Sequence, residues 1–347
     1  MALLWFDGFE NYKDYSDIPP LRNSAFTSLG YEKTGMEFGA YGRRSTRGFR
    51  IWYTNKLLYT LASNYASFVT GIALYRNDTD IPSYSANYPF LGFYDDATLQ
   101  LGFYIVGTEI HVYSNGIKLG ETSGADISYQ TWRYVEVKFT INDTTGTVEV
   151  RVNENTLLTL SNVDTQNTAN AYFNKFKFGS PYSNIYMDYD DLYLCDTAGA
   201  KNNDFLGDVR VDVLRPNGAG AYTQFTPSAG ANYENVDEVY PDDDSTYNQG
   251  SLVDDKDAYN VGDLPSPPVS TTIHGIKSQI TIRKTDAGAR ECKVLTRSGT
   301  TDSLGDALAL SDSYLTPTKI YEDNPDDSLA WEDADVNAMQ VGVQITV

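Results

Sequence analysis

Histidine and cysteine are nearly missing: the 347-residue chain holds two of each, His111, His274, Cys195 and Cys292. Histidines so far apart, with no Gly-x-Ser-x-Gly elbow to serve, argue against a serine triad. No His/Cys group has the spacing of a zinc site. One cysteine in each half is no disulfide framework, so two reduced, partly buried thiols are expected. Basic charge is scarce too: 26 Lys and Arg face 47 Asp and Glu, a formal net charge of -21. Such a surface repels nucleic acid and anionic membranes, so neither is expected as a partner. No apolar run approaches the length of a membrane-spanning helix, and membrane insertion is not expected. Met1-Ala2-Leu3-Leu4-Trp5 leads straight into Phe6-Asp7-Gly8. That opening is too short and too soon acidic for a secretory leader, so synthesis and folding in a cytoplasm are expected. Heptads and short repeats are lacking, which leaves no coiled-coil shaft.

What is present is β-strand. In residues 131–153, TWRYVEVKFTINDTTGTVEVRVN, Val135, Val137, Phe139 and Ile141 alternate with Glu136, Lys138 and Thr140. Val148, Val150 and Val152 alternate with Glu149 and Arg151 in the same way. Period-two alternation puts one set in a core and the other outward, and Asp143-Thr144-Thr145-Gly146 reads as the turn, with Gly146 at positive φ. Glu136 and Glu149 read as outward, each with a charge partner across the hairpin. Strands are expected at 99–105, 109–113 and 117–121 as a meander, with Asn115-Gly116 as a tight hairpin turn. Further strands are expected at 157–160, 173–179 and 185–195. Tyrosine is abundant, 27 residues beside 15 Phe and 4 Trp. Its ring suits a half-buried sheet surface, and equally a sugar-stacking platform or a subunit interface.

Residues 196–204, DTAGAKNND, are small and polar and read as a linker. From Lys201 onward there are 11 basic and 25 acidic residues, against 15 and 22 before it. This charge shift supports a domain boundary there. The second part is expected to open with a strand at 209–214 closed by Pro216-Asn217-Gly218. A loop-rich, acidic stretch at 229–268 follows, and strands return at 273–283, 292–296, 314–320 and 339–347. Chain length also suits two domains, 1–198 and 205–347. The fold class is all-β, a jelly-roll sandwich followed by a second, smaller β-sandwich.

LLWFDGFENY at 3–12, GRRSTRGFRI at 42–51, the 131–153 hairpin and DYDDLYLCDTAG at 188–199 carry a resemblance. With them the first part resembles the laminin-G-like, concanavalin A-like jelly roll found in bacteriophage structural proteins. The second part is similar to a module that follows this jelly roll in such proteins, through FLGDVRVDVLRPNG at 205–218, RKTDAGAR at 283–290 and YEDNPDDSLAWEDADVNAMQVGV at 321–343. The resemblance implies a virion component, without saying which part of the particle.

That fold also carries glycoside hydrolases, in which alternate carboxylates on one strand act as nucleophile and acid. Asp188-Tyr189-Asp190 is the nearest match; it lacks the glutamates and reads as part of a closing strand, so no catalytic residues are expected. Laminin-G-like domains often bind calcium through loop oxygens, and Asp78, Asp80, Asp95 and Asp96 are the candidates for it. Tyr84, Tyr88 and Tyr94, in YSANYPFLGFYDD, are the candidate glycan residues, with Phe90 and Phe93 in the core. The expected function is a non-enzymatic virion protein, a capsid decoration or tail-associated appendage, that contacts host glycans and other capsid or tail proteins. A homo-oligomer is expected, a trimer first, on the virion surface after synthesis in the host cytoplasm. A polysaccharide hydrolase on the same fold and a lectin-like module outside a virion are the alternatives.

Overall fold

Period-two patterning becomes antiparallel ladder in a computed structural model that describes residues 2–12, 31–77, 89–125, 127–180, 185–265 and 272–347. The chain is nearly all β and divides into two units, one ending at Val211 and one beginning at Asp212. The first unit holds β1 (Leu3–Asp7), β2 (Tyr31–Gly39), β3 (Gly48–Tyr65), β4 (Ser67–Arg76), β5 (Leu91–Asp95), β6 (Thr98–Val106) and β7 (Glu109–Ser114). It continues with β8 (Ile117–Glu121), β9 (Trp132–Thr140), β10 (Gly146–Val152), β11 (Asn155–Val163), β12 (Phe173–Gly179) and β13 (Tyr186–Asp196).

These strands form one ladder, β11-β10-β9-β4-β13-β3-β12-β5-β6-β7-β8, with β1 also on β13 and β2 also on β3. The ladder folds into two leaves at β3, whose 18 residues serve both. Phe49 to Trp52 pair with β13, whereas Lys56 to Tyr65 pair with β12. Between the leaves lies an aromatic core. The Phe93 ring is 4.4 Å from Phe139, and Phe68 meets Phe173 edge-on at 5.1 Å. Edge-on and tilted rings satisfy the aromatic quadrupole while burying large apolar areas. Val135, Val137, Val148, Val150 and Val152 are all buried in this core, as the alternation requires.

Two turns differ in cause. Asn115 and Gly116 take φ of 48° and 73°, the left-handed pair that a tight hairpin demands. Gly146 is not at positive φ; its place is instead one of close approach, where a Cβ would run into Thr165 Oγ1 and the Val163 carbonyl. The turn before it is held by Asn142, whose Oδ1 accepts the amides of Thr144 at 2.9 Å and Thr145 at 2.8 Å. β13 closes the first unit in chain order, as expected, but lies inside its sheet. It is flanked by β4 on one side and by β3 and β1 on the other.

The second unit contains β14 (Pro216–Thr223), β15 (Thr226–Pro227), β16 (Asn248–Gln249), β17 (Lys256–Val261), β18 (Ile276–Gln279), β19 (Glu291–Ser298), β20 (Thr301–Leu304), β21 (Leu308–Ala309), β22 (Thr318–Tyr321) and β23 (Gln340–Ile345). Its one α-helix among the described residues, α1 (Asp333–Ala338), is a single short piece. The main sheet runs β14-β17-β23-β19-β20, with β21 on β19. A β18–β22 ribbon packs over it through Ile276, Tyr321, Val261 and Val341, and Ile280 and Ile282 pack on Val343 and Ile345. This is the smaller sandwich.

Pro216-Asn217-Gly218 does not close a strand; it starts one. Pro216 sits on the edge strand β14, the place in a sheet where a missing N–H costs least. The strand expected at 209–214 does not form: the Val209 amide donates to the Gly207 carbonyl and the Val211 amide to the Asp191 side chain, not to a ladder. Both cysteines are free and buried, one in each unit. No helix among the described residues is long and apolar enough to cross a membrane.

Candidate functional site

Cross-strand partners in a sheet project to the same side. The register therefore writes out a row across the first leaf, on the face turned away from the core: Trp132 opposite Tyr75, Tyr75 opposite Asp188, Asp188 opposite Arg50, and Arg50 opposite Glu37. One step along, Tyr186 stands opposite Trp52. Arg50 is the centre of this arrangement. Its Nε and Nη2 donate to the two carboxylate oxygens of Asp188 at 2.6 and 2.7 Å. Its guanidinium lies 3.9 Å from the ring centres of both Tyr41 and Tyr186. A planar, delocalised cation can lie flat on both rings, which a lysine's compact ammonium cannot. Asp188 is 4% exposed, and burial raises its carboxyl pKa against the opposing pull of Arg50. Aromatic pairs flank the ion pair: Trp52 and Tyr186 at 5.1 Å, Tyr75 and Trp132 at 5.5 Å. All four rings are half-buried, each with one part still open to solvent.

Four residues further along β9 and β4, the same face is shut. Glu136 stands opposite Gly71, and Gly71 opposite Tyr193. The rings of Tyr193 and Tyr134 lie across β4 at Gly71, where any Cβ would strike both. Tyr193 OH reaches Glu136 Oε1 at 2.5 Å, and Tyr134 OH donates to the Asp191 carbonyl at 2.9 Å. Residues 205–211 form a strap over this half. Gly207 N–H donates to Glu136 at 2.9 Å, Val211 N–H to Asp191 at 2.9 Å, and Asp208 takes both terminal nitrogens of Arg43. The Arg151 guanidinium covers the Phe205 ring at 3.9 Å. Glu136 is thus 1% exposed, not an outward member of a surface pair, and burial raises its pKa.

Beside the strap sits a group of buried acids. Asp190 accepts the amides of Arg43 at 2.7 Å and Asp191 at 2.8 Å, and the Thr46 hydroxyl at 3.1 Å. Burial and then the neighbouring Asp191 push its carboxyl up to about 8. Glu10 is pushed up to about 9 by burial and by Asp190. These groups are neutral acids near pH 7 in the folded chain, which suits them to a structural role under the strap.

Of the residues expected to bind glycan, Tyr94 is on the other leaf, half-buried, with the Lys177 ammonium 5.1 Å from its ring centre; burial raises its hydroxyl pKa. Tyr84 and Tyr88 lie outside the described residues, as do Asp78 and Asp80. Asp95 accepts from Thr168 at 2.8 Å and Asn170 at 2.9 Å, and Asp96 from Asn174 at 3.1 Å. Each described member of the expected calcium set thus has one carboxylate oxygen engaged. Among the described residues no three His, Cys, Asp or Glu side chains gather as a metal would need. The aromatic row around Arg50 was not picked out from sequence. Its trace there is the alternation Arg50-x-Trp52 and Tyr186-x-Asp188, polar or aromatic at each outward position of a strand whose other side is apolar.

No family model matches the chain, and no curated protein does. Solved structures similar to it include the alginate lyase Aly36B, at 15% identity and a TM-score of 0.38, covering 55% of this chain and 96% of that one. The cellulose-induced protein Cip1 is similar at 12% identity and a TM-score of 0.38, over 55% and 96% of the two chains. The catalytic domain of a glycoside hydrolase family 131 protein from Coprinopsis cinerea is similar at 14% and 0.36, over 60% and 99%. Likeness at this level carries no argument about what this chain binds or does.

Proposed function

We propose that this chain is a non-enzymatic glycan-binding protein, borne on a bacteriophage particle as a capsid decoration or tail-associated appendage. The observation that supports the glycan reading is the row on the first leaf: two half-buried aromatic pairs on either side of a rigid Arg50–Asp188 pair. Aromatic faces take up the apolar side of a sugar ring, and fixed donors nearby meet its hydroxyls. A non-enzymatic role fits the use of Asp188, both of whose oxygens accept from Arg50 in a buried ion pair. The virion setting rests on the sequence resemblance alone, and with it the capsid or tail partners and an oligomer, a trimer first.

Titration with host-surface polysaccharide tests the binding. Trp132→Ala and Trp52→Ala are each expected to lose about tenfold in affinity, on the order of one good ring contact. Full affinity in both variants would remove the reading. Catalytic turnover of the polysaccharide that vanishes in Asp188→Asn would make the chain an enzyme instead. Antibody labelling of purified particles, with light scattering for the mass in solution, tests the virion setting; absence from particles would leave a lectin-like module.

A further inference from the structure

We infer that the aromatic row takes uncharged glycans, with Arg50 acting as a fixed hydrogen-bond donor and not as a charge; this rests on the glycan-binding reading above. The guanidinium is fully charged, yet its charge is cancelled where it stands. Asp188 meets it fork to fork, and the two side chains are 16% and 5% exposed. Nε and Nη2 are spent on that contact. Nη1 has no acceptor among the described residues, so its two N–H groups are left to donate. The Tyr41 and Tyr186 rings fix the plane in which they do so.

Within the row the remaining charge is negative; the Arg133 guanidinium lies at its far end, where Nη1 donates to the Trp132 carbonyl at 3.2 Å. Glu37, opposite Arg50 on β2, holds its carboxylate at the edge of the row and accepts from Tyr41 OH at 3.0 Å. Trp132, Tyr75, Tyr186 and Trp52 bring none. The described row therefore carries one carboxylate more than it has cations, within a chain of formal net charge -21. A uronate or sulfated sugar would meet repulsion at the Glu37 end and from the field of the whole chain. A neutral sugar meets ring faces for its C–H side and the Nη1 donors for a hydroxyl, with no counter-charge required.

The test is a titration of the full chain with neutral polysaccharides, a β-glucan and a galactomannan, and with the polyuronates alginate and polygalacturonate, at low and at high salt. Binding of a neutral glycan is expected, with an affinity that salt changes by less than about twofold, since no ion pair forms. Arg50→Lys is expected to weaken it by about tenfold, because charge is kept and the fork is lost. Trp132→Ala, which leaves the ion pair alone, guards against a folding defect in the lysine variant. Preferred binding of a polyuronate, falling steeply with salt, would overturn this inference and leave the glycan reading standing. No binding of any glycan by the folded chain would end both.

Discussion

The open and the covered half of one sheet face are built from the same strands, and they behave as different materials. In the open half, Trp132, Tyr75 and Asp188 stand in a row with rings half-buried. Charge is balanced there between side chains, Asp188 against Arg50. Four residues along β9 and β4, Glu136, Gly71 and Tyr193 repeat the row under the strap. Here the rings lie flat, and the buried acids take their hydrogen bonds largely from backbone amides of Gly207, Val211, Arg43 and Asp191. The sheet does not decide which half is a surface. What the chain lays over it does, and the side chains beneath are chosen to match.

The largest expected effect is in the open half. Arg50→Ala leaves Asp188 buried without its cation and should cost about 3 kcal/mol of stability, the low end for a broken buried pair because Arg50 is partly exposed. Replacing both residues by apolar ones of similar size should recover most of that loss in urea unfolding, at the expense of glycan binding. Recovery of neither would mean that the pair is not the unit described here.

Gly71→Val comes next. Its side chain would strike the Tyr193 and Tyr134 rings, an overpacking cost of about 2–3 kcal/mol, with binding by the folded fraction unchanged. Glu136→Ala removes the acceptor shared by Tyr193 OH and Gly207 N–H and should cost about 1–3 kcal/mol. Limited proteolysis should then cut within 205–211 sooner than in the parent chain. An unchanged digestion pattern would show that the strap is held by its other anchors.

Acidity distinguishes the halves as well. Glu10 and Asp190 start from ordinary values of 4.5 and 3.8 and reach about 9 and about 8 when folded. The folded chain thus holds protons that the unfolded chain has released between those values. The stability these groups contribute is complete below their ordinary range and is lost as pH rises through 8 to 9. Melting temperature should fall as pH rises from the ordinary carboxylate range to 8–9, and Glu10→Gln, which cannot ionise, should flatten the fall. A parallel curve for the variant would place the titration elsewhere. The smallest effect belongs to Glu149, whose partners Arg151 and Thr156 lie 3.0 and 2.9 Å away at the surface. Glu149→Gln should shift stability by less than about 0.5 kcal/mol.

Alternation in 131–153 was enough to place β9, β10 and their inward valines, since period two is a local property of the backbone. Asn115-Gly116 was enough for its hairpin, because the φ values needed are local too. The same alternation marked Glu136 as facing away from the core, which is true, and hence as wet, which is not: the strap that buries it comes from 71 residues further on. Arg50 and Asp188 are separated by 138 residues, and nothing local to either announces the other. Asp188 read as part of a closing strand, and that this strand runs between β4 and β3 was not legible, because pairing partners, unlike alternation, are settled between distant segments. By itself, the sequence determined strand character, the inward face of each strand, and an acidic chain with few groups for catalysis. Only the tertiary structure decided which outward faces stay open, since a side chain's direction is set by its own backbone while its solvent is set by whatever else the chain brings to that place.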